Sequence, residues 1–439
     1  MDAPVLRTAG GPGGIGGRLP VSGTERAVPL AEAARRVTAA LKALGLEAHL
    51  TELGDGGEPT AWRCELRTPG GDLAPEAQGA GKGTREEARV GALFEALEHH
   101  LTGPTHFVPT AVEHLPAAAV AQGLAGDVTA PLLQEAMSAP LACHRYRRLD
   151  TGRRSLHGAL GANHLAVPVF LACPWYIDEP AWRHGAGDSF DYAPVGRYSC
   201  NSGSAIGVDA AEAAVHALNE AIERDAFSLL LARTFLGAHP VRVIDPATLP
   251  GDLAHALEAA RHHAGQPVHL LDITTDLGVP TVLAYSAPAD ARPHRRGCGT
   301  SLDARYAVWR ALSEHIQGSL TGDHTGAEPV DLSALDPYPE LLACARFDLT
   351  PHLAGARTVA YRPTPATPRH PDGHLAQLTR ILAMAGHPPY HRTVARLPGG
   401  ITAVHTLPLG LERFILILDG AAVLPGERAV TALSHAATR

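Results

Sequence analysis

Two pairs of glutamates, Glu95/Glu98 and Glu220/Glu223, occur at the same three-residue spacing. On a helix that spacing sets both carboxylates of a pair on one side of a single turn. Two such pairs facing one cleft would crowd negative charge, and a divalent cation would offset it. Magnesium suits that chemistry, because it takes carboxylate oxygens together with substrate phosphate oxygens rather than an all-protein cage. A possible phosphate partner lies just upstream. The chain has only two lysines, Lys42 and Lys82, and Lys82 sits in Gly81-Lys82-Gly83-Thr84, immediately before the helix that carries the first pair. Glycines there would let backbone amides approach a phosphate, and a helix start adds partial positive charge. The segment is no Walker A loop, since Gly83 separates Lys82 from Thr84.

The elements that must position these groups are three copies of one pattern: residues 84–98 (TREEARVGALFEALE), 209–223 (DAAEAAVHALNEAIE) and 303–317 (DARYAVWRALSEHIQ). They align without gaps, each opens on Thr or Asp, and each ends in Glu-x-x-Glu or Glu-x-x-Gln. Helical projection at about 100° per residue places Glu212, His216, Asn219, Glu220 and Glu223 on one side of the second copy, with Val215, Leu218 and Ile222 opposite. The first copy sorts Glu87, Glu95 and Glu98 against Val90, Leu93 and Leu97. The third puts Arg310, Ser313, Glu314 and Gln317 on its polar side. Part of this has a purely structural explanation. Thr84 with Glu87, and Asp209 with Glu212, read as capping boxes that satisfy first-turn amides, and an acidic helix face is ordinarily just solvated. The threefold recurrence argues for more than solvation.

The rest of the chain reads as α/β, with mixed sheets and interleaved subdomains around one cleft. Residues 1–24 read as a flexible tail and 25–439 as one domain without a clean linker. A helix is expected over 29–44, strands over 48–53 and 62–67, and a loop over 70–81. The first acidic helix should stop at Gly103-Pro104. Further strands are expected over 165–174, 241–244, 268–273 and 281–286, with helices over 253–263 and 375–385. A Gly/Ser/Asn-rich loop over 196–207 precedes the second acidic helix, which can run to Leu236. Residues 414–418 give the strongest strand signal of all.

Composition excludes several classes. The net charge of −8 over 439 residues argues against a nucleic-acid coat and against an anionic membrane surface. No stretch has the apolar length of a membrane span, and the N-terminus lacks a secretory signal, so cytoplasmic residence is the expectation. Six scattered cysteines without C-x-x-C suit neither a zinc knuckle nor a disulfide framework. His99-His100 and His262-His263 lack the H-E-x-x-H spacing, and residues 203–207 are no G-x-S-x-G elbow. The run RPHRR (292–296) could meet an acidic partner or leader peptide, although a solvated loop is the simpler reading.

Three stretches, GKGTREEARVGALFEALEHH, NSGSAIGVDAAEAAVHALNEAIERDA and WRALSEHIQG, resemble the motifs of the YcaO family. The resemblance covers most of residues 25–439. It implies an ATP- and Mg2+-dependent enzyme of ribosomal peptide maturation. In that family a backbone amide oxygen is phosphorylated and a nucleophile attacks the activated carbon, giving an azoline, a thioamide or an amidine. Carried over by motif position, Glu95, Glu98, Glu212, Glu220 and Glu223 would form the magnesium shell. Lys82, Asn201, Ser204, Glu212, Arg224, Arg310, Glu314 and Gln317 would hold the nucleotide. Glu220, Glu223 and Arg224 would be the catalytic group.

There are departures. His99 replaces a usual arginine, and Val208 stands where a polar residue is frequent. The ending TALSHAATR lacks the proline-rich terminus of many azoline-forming members, which leaves thioamide and amidine formation open. A ribosomal precursor peptide, a separate leader-binding or sulfur- or amine-delivering partner protein, and a homodimer are also implied. The rival reading is a catalytically quiet scaffold that keeps the fold to bind a peptide or partner, for example in support of protein methylthiolation. The intact Lys82, Glu220, Glu223 and Arg224 favour the enzyme.

Overall fold

The computed structural model describes residues 24–149, 163–289, 294–325 and 330–434. The tail expected over 1–24 therefore lies outside the described residues except for Thr24. So do Arg292 and Pro293 of the basic run and the last five residues of the chain.

The helix Leu30–Ala43 leads into an antiparallel sheet of β1 (Glu47–Glu52), β2 (Thr60–Arg67) and β3 (Leu73–Gly83). The third strand replaces the loop expected over 70–81, and the reason is packing. Gly79 and Gly81 are two apart and so face the same way. A Cβ on Gly81 would lie 1.8 Å from the Ala88 carbonyl oxygen, and one on Gly79 would lie 2.3 Å from the Ala96 nitrogen. Without side chains there, the first acidic helix (Arg85–Thr102) lies directly on the strand backbone. The glycines thus serve helix-on-strand contact, not a phosphate-cradling loop.

The chain then starts a second sheet with β4 (Glu113–Pro116), β5 (Pro140–Arg148), β6 (His164–Pro168) and β7 (Ser204–Gly207). The strand expected over 165–174 stops at Pro168, after which Val169–Leu171 forms a 3-10 turn. Within the loop expected over 196–207, the last four residues are β7. The second acidic helix (Ala210–Leu231) follows and continues through a π turn, Ala232–Leu236.

A third sheet comes next, from β8 (Arg242–Ile244), β9 (His269–Asp272), β10 (Thr281–Ser286) and β11 (Arg295–Thr300). The strand β11 was not expected. It repeats the glycine device of β3: Cβ atoms on Gly297 and Gly299 would each come within 2.2 Å of the third acidic helix backbone. That helix is Ala304–Thr325, and β12 (Arg357–Val359) then completes the order β11-β10-β9-β8-β12. Only afterwards do β13 (Pro389–Arg396) and β14 (Thr402–Pro408) return to the second sheet, giving β4-β5-β13-β14-β7 with β6 beside β5. The expected interleaving is present.

Residues 414–418 are not a strand. Phe414–Asp419 is a 3-10 segment whose five apolar residues are all buried. A continuous apolar run reports burial without reporting period. Here the segment is held against the second acidic helix, with the Ile415 N–H donating to Ser228 Oγ at 2.9 Å and the Glu412 N–H to Asp225 Oδ1 at 3.1 Å. The apolar faces of the acidic helices are buried as projected. Val90, Leu97, Val215, Leu218, Ile222 and Leu312 are almost fully enclosed, each contributing about 1.5–3 kcal/mol.

Candidate active site

The polar faces of the three acidic helices meet around one cavity of about 680 Å3. The first helix supplies Glu95 and Glu98. The second supplies Glu212, Glu220, Glu223 and Arg224, and the third supplies Arg310, Glu314 and Gln317. Lys82 reaches in from β3, Ser204 from the start of β7, and Asn201 from the loop before it. Every residue assigned above to the metal shell, the nucleotide or the catalytic group therefore lines the same cavity.

Local contacts fix the walls. Lys82 Nζ is ion-paired with Glu314, and Gln317 Nε2 donates to the Ala80 carbonyl, so β3 and the third helix are tied across the cleft. Arg224 lies 3.8 Å from Glu220 on the next turn. The capping box of Thr84 and Glu87 is complete. In the second copy Asp209 accepts from the Glu212 N–H at 2.8 Å, but the Glu212 carboxylate turns away. It accepts from the Ala27 N–H at 2.7 Å and faces Arg26 at 3.8 Å. Glu212 thus anchors the segment ahead of the helix Leu30–Ala43 as well as lining the cavity. Asn219, projected onto the cleft face, instead donates to buried Glu25 at 3.3 Å.

Crowded carboxylates shape the electrostatics. Burial, then Glu220 and Glu95, push the Glu98 carboxyl well above the usual range. Burial raises Glu95 and Glu220 as well. Glu223 is pushed up to about 7, by burial first and by Glu314 second. Burial would raise Glu314 too, but Lys82 together with Arg224 and Arg310 outweighs it and holds that carboxyl below its ordinary value. Burial would lower Arg224 and Arg310, yet their acidic neighbours keep both firmly protonated.

These residues fit a magnesium–nucleotide complex. The Nε atoms of Arg224 and Arg310 and the Ser313 hydroxyl are buried without a hydrogen-bond partner. An unsatisfied buried donor costs about 1–3 kcal/mol, more when charged, and phosphate oxygens would satisfy these. The carboxylates whose pKa values rise through burial, and then through one another's charge, are those a cation would relieve. No three His, Cys, Asp or Glu side chains among the described residues already form a ready-made metal site.

Some residues in the lining escaped the sequence. Arg296, expected in a solvated loop, sits on β11, lines the cavity and lies 5.4 Å from the Phe227 ring centre. The Gly-x-Gly of RRGCGT, matching that of QGAGKG, was the signal that could have found it. Arg26 and Tyr306 also line the cavity; His216, projected onto the polar face, lines it too, held far below its usual range by burial and by Arg310.

An α/β fold that gathers paired carboxylates and guanidinium groups around one pocket defines a protein of the magnesium–nucleotide class. The chain belongs to the YcaO family. The family profile, described as YcaO cyclodehydratase, ATP- and Mg2+-binding, matches residues 79–412, about three quarters of the sequence. ATP and Mg2+ are accordingly its cofactors.

Among known proteins, an uncharacterized protein of Methanothermobacter thermautotrophicus is 39% identical over 129 residues, which are 29% of this chain and 33% of that protein. A second uncharacterized protein, in the tfuA 3' region of Rhizobium leguminosarum bv. trifolii, is 34% identical over 154 residues, 32% of this chain and 35% of that one. The matched segments thus span only about a third of each relative. Among solved structures, YcaO from Methanopyrus kandleri bound with AMPPCP and Mg2+ superposes with a TM-score of 0.62 at 20% identity, over 91% of this chain and 96% of that one. A heterocyclase in complex with substrate and cofactor gives 0.61 at 16% identity, over 90% and 54%. A chain of the E. coli microcin synthetase McbBCD complex gives 0.55 at 13%, over 83% and 88%. At these identities the structural likeness establishes the fold.

Proposed function

We propose that this protein activates a peptide backbone amide at the expense of ATP, so that a nucleophile can attack the amide carbon during maturation of a ribosomally made peptide. The observation that carries this reading is the pairing, in one pocket, of unsatisfied Arg224 and Arg310 donors with carboxylates raised in pKa by burial first and by neighbouring carboxylates second. Bound ATP supplies the phosphoryl group that turns a poor amide-oxygen leaving group into a good one. The protein's contribution is positioning and charge neutralisation. Lys82, Arg224 and Arg310 meet phosphate oxygens, with Asn201, Ser204 and Gln317 orienting the nucleotide. Glu95, Glu98, Glu220 and Glu223 hold the metal, supported by Glu212 and Glu314.

The product is an azoline, a thioamide or an amidine, according to the nucleophile that attacks the activated carbon. The peptide arrives with a separate partner protein. The microcin synthetase chain that shares this fold is part of a complex, and the Rhizobium relative is known by its place beside tfuA. A homodimer working in the cytoplasm completes the proposal. All six cysteines are free and buried, as suits a reducing compartment, and no described helix is long and apolar enough to cross a membrane.

The test is ATP turnover with a candidate precursor peptide and partner, with mass analysis of the peptide. Glu220→Ala combined with Glu223→Ala should lower turnover by about a hundredfold or more. Loss of water from the peptide indicates an azoline, and exchange of oxygen for sulfur a thioamide. If wild type and double variant are equally inert with every peptide–partner pair, the scaffold reading replaces this one.

A further inference from the structure

A second cavity, of about 840 Å3, opens where the second acidic helix ends. There the helix widens into the π turn Ala232–Leu236, a rare form found often at functional sites. Gly237 is pressed under the last helix, where a Cβ would lie 2.8 Å from Leu433 Cδ2. Ala238 then adopts φ +51°, a left-handed conformation that costs a non-glycine residue about 1–2 kcal/mol. The His239 N–H closes the turn on the Arg233 carbonyl at 2.8 Å. This tight and strained turn brings Arg233 and His239 to the cavity, where Arg242 of β8 and Arg357 of β12 join them.

The lining carries three arginines and one carboxylate in a protein whose net charge is −8. Arg242 and Arg357 are register partners on adjacent parallel strands, so their side chains share a face. Like charges set opposite each other destabilise a sheet. The one carboxylate in the lining, Asp272, is already engaged with Arg242 at 3.2 Å. Arg233 and Arg357 make no side-chain hydrogen bond or ion pair with the described residues. Burial pushes Arg233 below its ordinary range; Asp276 and Asp225 oppose that shift, while Arg242 and Arg428 add to it. His239 Nε2 is buried without a partner. Beneath these groups lies an apolar floor of Ala226, Leu230, Val241 and Ile273.

We infer that this cavity binds a small organic anion, with its acid group seated among Arg233, Arg357 and His239 and its apolar body on the floor. Arginine forks match carboxylate and phosphate oxygens alike, and the volume suits a metabolite-sized ligand. The site shares no lining residue with the acidic cleft, so it stands or falls apart from the proposed reaction.

Calorimetry with phenyl phosphate, phenylacetate and inorganic phosphate tests it. At least one aromatic anion should bind saturably and about tenfold or more tighter than inorganic phosphate, through its apolar body. The stronger of the two identifies the acid group. Arg233→Gln combined with Arg357→Gln should weaken that binding by about tenfold or more, while Mg2+–AMPPCP binding is unchanged. A crystal of the wild-type protein soaked with the same anion should show it in this cavity, which holds the test open even if the double variant folds poorly. Saturable binding of neither aromatic anion, binding undiminished in a folded double variant, or density seated only in the acidic cleft would overturn the inference.

Discussion

Glu223 holds the balance of charge in the cleft. Its carboxyl is pushed from 4.5 to about 7, chiefly by burial. The native protein therefore binds this proton more tightly than the unfolded chain does. The stability it contributes is fully present below about pH 4.5 and is lost as the pH rises through about 7. Thermal melts of the nucleotide-free protein should show wild type losing ground against Glu223→Gln between about pH 5 and about pH 8. A difference that stays flat over that window would mean the carboxylate is already ionised in the empty cleft. Mg2+–nucleotide binding near neutrality should release protons from Glu98 and Glu223, readable as a buffer-dependent binding enthalpy. At this scale the site was largely legible, because carboxylates at i and i+3 have only one way to share a helix face. Arg296 was not, because a basic run looks the same in solvent as on a strand.

Helix-on-strand contact is the device that builds the cleft. Gly81→Ala would drive a methyl group into the Ala88 carbonyl, and the first acidic helix would have to lift off β3. The expected destabilisation is about 1–3 kcal/mol, read from the urea midpoint, with weaker nucleotide binding because Lys82 shifts. Gly251→Ala, at a helix start with nothing within 4 Å of the added Cβ, should be neutral or stabilising by up to about 1 kcal/mol. Equal losses at both positions would refute the packing account. Both glycine-bearing strands were hidden in the sequence for the same reason. Alternating Gly-x-Gly lacks the side chains that advertise a strand, and its cause lies in a helix that follows it. Residues 414–418 misled in the opposite sense, since five apolar residues in a row state that a segment is buried but not how it coils.

Across the whole molecule, the last helix is fastened to the second acidic helix by one buried ion pair. Arg428 reaches Asp225, which is fully buried, through Nε at 2.8 Å and Nη2 at 3.0 Å. Its guanidinium also holds Asp276 at 2.6 Å. Glu412 caps the start of that last helix by accepting the Ala429 N–H at 2.8 Å. Arg428→Ala would strand a buried carboxylate and should cost about 3–5 kcal/mol, measured by chemical unfolding. Adding Asp225→Asn should recover part of that, because the neutral amide needs no counter-charge. A null effect of Arg428→Ala would place the tether elsewhere.

The interleaved sheets leave a mark on the protein's birth. The strand carrying Ser204 has a single neighbour in its sheet, β14, and about two hundred residues separate the two in the chain. At synthesis rates of about 5–20 residues per second that interval lasts on the order of ten seconds or more. For that time the nascent polypeptide presents a bare β edge beside the half-built nucleotide pocket. A holding chaperone at the ribosome exit would find its client there, and slowing translation between those two strands should increase aggregation of the newborn chain.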